Sequence, residues 1–168
     1  VAHPVNPPSL IPLVEIVPSH LTDKNITEWV FNLMGKLGQK PILVNKEIDG
    51  FILNRLQGAL LNESLKLISE GYVSSYDIDK TVKYGLGLRW SFMGPMETID
   101  LNAPGGISDY AERYGKIYLK VAEETNGDIW DEKFIQKAEE EQRLIRPLKD
   151  NISRQKWRDK RLMALVKH

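Results

Sequence analysis

The chain contains no cysteine. That excludes disulfides, thiol nucleophiles and cysteine-bound metals, and it fits a reducing, cytoplasmic setting. Charge of one sign is also missing: 23 Lys and Arg stand against 23 Asp and Glu in 168 residues. Such a balance gives no reason to expect nucleic acid or an anionic membrane as a partner. Long apolar runs are absent too. Ile11 to Val17 is broken by Pro12 and Glu15, and no stretch nears the ~18 consecutive apolar residues of a spanning helix. His20 and His168 lie in no pattern of metal-ligand spacing, so no metal is expected. Neither a starting Met nor a signal-peptide pattern is present. Val1-Ala2-His3-Pro4 reads as the end of a buried strand entered halfway, and the chain is expected to be a fragment.

What is present can fold. Hydrophobic residues make up 42% of the sequence, enough to pack a core. Residues 12–17 are β-rich and bounded by Pro12 and Pro18, which predicts a strand. Thr22-Asp23-Lys24 opens a helix in which Trp29, Val30, Leu33, Met34 and Leu37 recur at helical spacing, with Gly38 as its C-terminal cap. Pro41 to Val44 forms a second apolar strand. Strand, helix, strand is the crossover unit of a parallel sheet. Two strands cannot bury both sheet faces alone, so a larger sheet is expected.

After Asp49-Gly50 the pattern is helical only. Phe51 to Glu70 is apolar over so wide an arc that burial on most sides is expected. Ser74 and Asp77 start the next helix, which Gly85 is expected to close. A short helix is predicted near Pro95 to Leu101. Pro104-Gly105-Gly106 then precedes another, with Tyr110, Tyr114, Ile117, Tyr118 and Val121 on one face. The charged segment 131–145 and a last helix at 151–166 read as surface elements. The domain boundary is expected between residues 46 and 47.

Three features suggest chemistry. His3 opens a proline-dense turn, His3-Pro4-Val5-Asn6-Pro7-Pro8. Glu15 is a lone carboxylate in an apolar strand, twelve residues later. Asn54 lies in the first turn of the helix that begins Gly50-Phe51-Ile52-Leu53. An ionised carboxylate out of water is costly unless paired. A histidine that donates its Nδ1–H to it gains a fixed tautomer and leaves Nε2 free as a base. Such a base suits alcohol oxidation, taking the hydroxyl proton while hydride leaves the same carbon. Asn54 could orient or polarise the substrate oxygen. Plain readings stand beside these. His3 fits a loop histidine, Glu15 the solvent face of an edge strand with Val14 and Ile16 buried, and Asn54 a helix-start hydrogen bond. Spacing alone leaves both sets open.

His3-x-x-Asn6-Pro7, then Glu15, then Gly50-Phe51-x-x-Asn54-Arg55, resembles the ordered pattern of the 3-hydroxyacyl-CoA dehydrogenase superfamily. His3 to Glu15, Glu47 to Gln57, Gly85 to Thr98 and Trp157-Arg158-Asp159 are similar to its lambda-crystallin branch, the L-gulonate 3-dehydrogenases. The resemblance implies a fold and a site. Residues 1–46 would be the last strands of a Rossmann-type NAD domain, an α/β remnant. Residues 47–168 would form an all-α dehydrogenase domain, mainly α overall, through which members form homodimers. It implies His3 as catalytic base, Glu15 as its orienting carboxylate, Asn54 against the substrate and Asn6 near the nicotinamide of NAD. A substrate-contacting serine and the pyrophosphate loop would lie upstream of Val1. Gly85-Leu86-Gly87-Leu88-Arg89-Trp90 does not replace that loop, because Trp90 stands where a third glycine belongs and a helix precedes it.

A 3-hydroxy acid carries a carboxylate, which arginine grips in a bidentate fork. Arg89 is the candidate for that clamp; the alternative is a surface arginine or a structural ion pair. The tyrosine stripe reads as packing at a dimer contact. The expected activity is oxidation of the C3 hydroxyl of L-gulonate, with a 3-hydroxyacyl-CoA or carnitine as neighbouring substrates. From another class, a non-catalytic structural or dimerisation module remains open. These residues alone are expected to be inactive.

Overall fold

The computed structural model describes residues 1–124, 136, 140, 143, 144 and 147–166. The rest of the charged segment 131–145, and His168, lie outside the described residues. The chain divides into two compact units, Val1–Ala59 with Leu148–His168, and Leu60–Pro147.

The first unit is built on a three-stranded sheet. Strands β1 (Ala2–Pro4), β2 (Leu13–Ile16) and β3 (Lys40–Leu43) lie in that order, β1 antiparallel and β3 parallel to the central β2. Helix α1 (Lys24–Lys36) makes the crossover from β2 to β3 and packs on both. Asp23 starts it by accepting the Asn25 N–H at 2.7 Å. At its end the Gln39 N–H reaches Met34 O and the Gly38 N–H reaches Gly35 O, the paired bonds of a Schellman cap. Val14, Glu15, Ile16 and Val17 are all buried. Successive strand residues point to opposite faces, so both faces of β2 are covered, and Glu15 does not lie on a solvent face.

The expected burial of Val1 to Pro4 does not hold. β1 is an edge strand, and Val1 is 72% exposed, because β1 pairs with β2 on one side only. Val1 exchanges hydrogen bonds with Val17, and the Val5 N–H reaches Leu13 O. Odd-numbered residues of β1 therefore face β2, and the nitrogen of Pro4 faces outward. On β3, the N–H groups of Lys40 and Val44 bond to Pro12 O and Ile16 O, which turns the nitrogen of Pro41 outward too.

Helix α2 (Leu53–Ser69) belongs to the first unit up to Ala59 and to the second from Leu60. Only Ile68 of this helix is buried, and Leu56 is 61% exposed. The expectation of burial on most sides is thus corrected. The wide apolar arc is real, but the described residues do not cover it.

In the second unit, α3 (Ser75–Lys80) starts as the spacing predicts, with Ser74 Oγ accepting the Asp77 N–H at 3.1 Å. Gly85 does not close it. The helix runs on through a π-helical turn (Thr81–Leu86) into α4 (Gly87–Trp90). A glycine stops a helix by turning left-handed, and Gly85 is not among the positive-φ glycines. Helices α5 (Pro95–Leu101) and α6 (Gly106–Glu124) follow and pack on each other. Among the described residues of this unit, Ile68 and Ala103, with Ser75 and Thr98, are buried. A 3-10 turn (Leu148–Asp150) and α7 (Asn151–Val166) belong to the first unit, and the latter exposes Ile152 and Leu165 as expected of a surface helix. Among the described residues no helix is long and apolar enough to cross a membrane.

Candidate active site

The twelve-residue spacing of His3 and Glu15 becomes a register. Across the β1–β2 pair Ala2 stands opposite Ile16, His3 opposite Glu15, and Pro4 opposite Val14. Opposed residues of an antiparallel pair send their side chains to the same face. His3 Nδ1 lies 3.0 Å from Glu15 Oε2. The carboxylate is completely buried, whereas the His3 side chain is 36% exposed.

Glu15 has a second task. Its Oε1 accepts the backbone N–H groups of Ile52 at 2.8 Å and Leu53 at 3.0 Å. These are orphan donors at the start of α2, the positive end of its dipole. One carboxylate therefore joins the histidine to the N-terminus of the long helix. Burial pushes its carboxyl up, but the hydrogen bonds from His3, Leu53 and Ile52, with the attraction of His3, outweigh it and hold the group below the ordinary 4.5. An ionised carboxylate has no proton to give, so Nδ1 is the donor and the lone pair sits on Nε2.

The turn before α2 delivers those N–H groups. Phe51 N–H bonds to Ile48 O at 3.0 Å, with Gly50 at φ +77° in the third position, where a type II turn requires the left-handed region. Phe51 continues in that region at φ +47°, which costs a non-glycine about 1–2 kcal/mol. Its ring meets the His3 imidazole edge to face, with centroids 5.4 Å apart.

The structure thus brings His3 and Glu15 together and ties both to the Gly50–Leu53 corner. Asn54 follows directly on α2 and is exposed; a Cβ on Gly50 would stand 3.7 Å from the Asn54 Cβ. Asn6 lies beyond the end of β1, three residues from His3, and is exposed. Arg89 lies on α4 in the other unit, half-buried. Phe51 was read from the sequence only as part of the Gly50-Phe51-x-x-Asn54-Arg55 motif, with no role of its own, and the Ile52 and Leu53 N–H groups were not singled out. A signal existed: nothing in Gly50-Phe51-Ile52 supplies a side-chain acceptor for the start of α2.

This geometry fixes a pH dependence. The folded-state pKa of Glu15 is lowered, so its contribution to stability is complete above the unfolded value, 4.5, and is lost as pH falls through the folded one. The urea midpoint of the chain is expected to drop below about pH 4.5, and Glu15→Gln is expected to flatten that drop. Parallel profiles for the two chains would contradict it.

Residues 1–48 match the family described as 3-hydroxyacyl-CoA dehydrogenase, NAD binding domain, and residues 50–146 match 3-hydroxyacyl-CoA dehydrogenase, C-terminal domain. The chain belongs to the 3-hydroxyacyl-CoA dehydrogenase family. Within that family it is 42% identical to the human lambda-crystallin homolog over 99% of this chain and 53% of that protein. It is 50% identical to rabbit (Oryctolagus cuniculus) lambda-crystallin over 72% of this chain and 38% of the relative. A 3-hydroxyacyl-CoA dehydrogenase structure from Archaeoglobus fulgidus superposes with a TM-score of 0.60 at 32% identity, covering 79% of this chain and 42% of the other. The chain spans about half the length of the human relative it matches.

Proposed function

We propose that this chain forms the catalytic half of an NAD-dependent dehydrogenase acting on the C3 hydroxyl of a 3-hydroxy acid. The observation that carries the proposal is the buried, ionised Glu15 holding His3 Nδ1 at 3.0 Å. His3 Nε2 is then the base that takes the hydroxyl proton, on a ring whose tautomer and tilt are set by Glu15 and Phe51. NAD, when bound, supplies the hydride acceptor. The exposed Asn6 amide, close to His3 along the chain, fits a contact on the nicotinamide side. The Asn54 amide, at the N-terminal end of α2, orients the substrate oxygen.

L-Gulonate is the favoured substrate, supported by the similarity of residues 3–15, 47–57 and 85–98 to the lambda-crystallin branch. Exposed Leu56, Leu88 and Phe92 support a homodimer formed through the helical domain, residues 47–168. The absence of cysteine supports a cytoplasmic setting.

The test is NADH formation by the protein at its natural length with L-gulonate, 3-hydroxybutyryl-CoA and L-carnitine in parallel. Turnover is expected with L-gulonate above the other two. Preference for the thioester or for carnitine would move the substrate within the same chemistry. No turnover with any of the three would instead favour a structural module.

A further inference from the structure

The corner before α2, wholly inside the first unit, carries a backbone anomaly. Phe51 stands at φ +47°, directly after Gly50 at φ +77°. Glycine enters this left-handed region freely, whereas a bulky side chain there is rare. Such outliers cluster at working sites, where the surrounding structure holds them in place. Two interactions meet at this one.

The first runs through the backbone. Ile52, the next residue, is not among the positive-φ residues. Backbone that changes hand between neighbours turns successive N–H groups to one side, a concavity that holds an anion. The N–H groups of Ile52 and Leu53 converge in this way on one oxygen, Glu15 Oε1, at 2.8 and 3.0 Å. A glycine at position 51 would make the same turn with less strain. The backbone alone therefore gives no reason for a phenylalanine.

The second interaction runs through the side chain. The half-buried Phe51 ring meets the His3 imidazole with centroids 5.4 Å apart and planes at 62°. Glu15 Oε2 holds that imidazole at one atom, Nδ1. A hydrogen bond at one atom fixes a point on a ring and leaves its plane free to swing about that point. An aromatic ring set edge to face against it opposes the swing.

We propose that Phe51 is a positioning residue for His3: its ring fixes the plane of the imidazole, and with it the direction in which Nε2 faces the substrate hydroxyl. The proposal rests on His3 being the base. Glu15 sets the tautomer and Phe51 sets the plane. The left-handed residue lets one short corner grip both members of the pair, the carboxylate by its N–H groups and the imidazole by its ring. Glycine would serve only the carboxylate.

The experiment is a double-mutant cycle on the natural-length protein, comparing the parent, Phe51→Leu, His3→Gln and the two combined. Phe51→Tyr is added because it keeps a ring. Measured are kcat and KM for NAD, with whichever of the three substrates above turns over fastest. An edge-to-face aromatic pair corresponds to about two- to tenfold in rate. Phe51→Leu is expected to lower kcat by about three- to tenfold, with the KM for NAD unchanged. Phe51→Tyr is expected to restore most of the rate. In the His3→Gln background Phe51→Leu is expected to lower kcat no further, because the group it positions is gone. An equal fall in both backgrounds overturns the proposal, since damage to the fold or to another group lowers both alike. So does an unchanged kcat in Phe51→Leu, or a loss in Phe51→Tyr as large as that in Phe51→Leu. An unchanged kcat in His3→Gln is a different failure: it removes the base, and the positioning role with it.

Discussion

His3→Gln is expected to lower kcat by about 10²–10⁴-fold, the usual contribution of a positioned general base. Glutamine keeps an N–H that can point at Glu15 Oε2, and it fills much of the same space, but it has no nitrogen lone pair to accept a proton. The KM for NAD should stay within about twofold, because the change removes a base rather than a binding contact. Stability should change little: the imidazole is 36% exposed, and the two helix N–H bonds to Glu15 Oε1 remain in place. Initial rates of NADH formation at saturating L-gulonate, beside urea midpoints for the same preparations, separate the two effects. A kcat within threefold of the parent would show that His3 is not the base.

Glu15→Leu acts on structure first. It leaves the Ile52 and Leu53 N–H groups without their acceptor and His3 without its anchor. Each orphaned donor costs about 1–3 kcal/mol, and removing one partner of a buried pair about 3–5 kcal/mol in all. A loss of about 3–5 kcal/mol in unfolding free energy is therefore expected. Glu15→Gln is the informative companion. Its amide oxygen can still accept both helix N–H groups, so most of that stability should return. Its NH₂ group would face His3 Nδ1, where a donor now meets a donor and the imidazole tautomer inverts. Activity should then remain low in a folded protein. If Glu15→Gln recovers both stability and full turnover, the carboxylate serves the fold alone.

How far the sequence could be read depended on whether the partners lay on elements whose geometry the sequence also sets. Spacing alone left plain readings of His3 and Glu15 open, because a twelve-residue separation sets no register until both strands are paired. The resemblance of the His3-x-x-Asn6-Pro7 and Glu15 pattern is what made the pair legible, and the structure bonds the two across an antiparallel pair. The parallel β2–α1–β3 unit was legible from period and caps. The other half of Glu15's role was not, because its partners are backbone N–H groups on a helix 37 and 38 residues away, and backbone donors leave no mark in composition. Gly85 misled because glycine ends a helix only where the chain turns left-handed, and here it sits inside a π turn. The wide apolar arc of α2 was read correctly as apolar and incorrectly as buried; periodicity reports the character of a face, not what covers it.

Pro4 and Pro41 occupy matching places on opposite rims of the three-stranded sheet, each with its nitrogen directed away from β2. Each proline removes one outward donor from its strand, at the end of β1 and near the start of β3, and a missing donor of that kind weakens an edge as a template for backbone pairing.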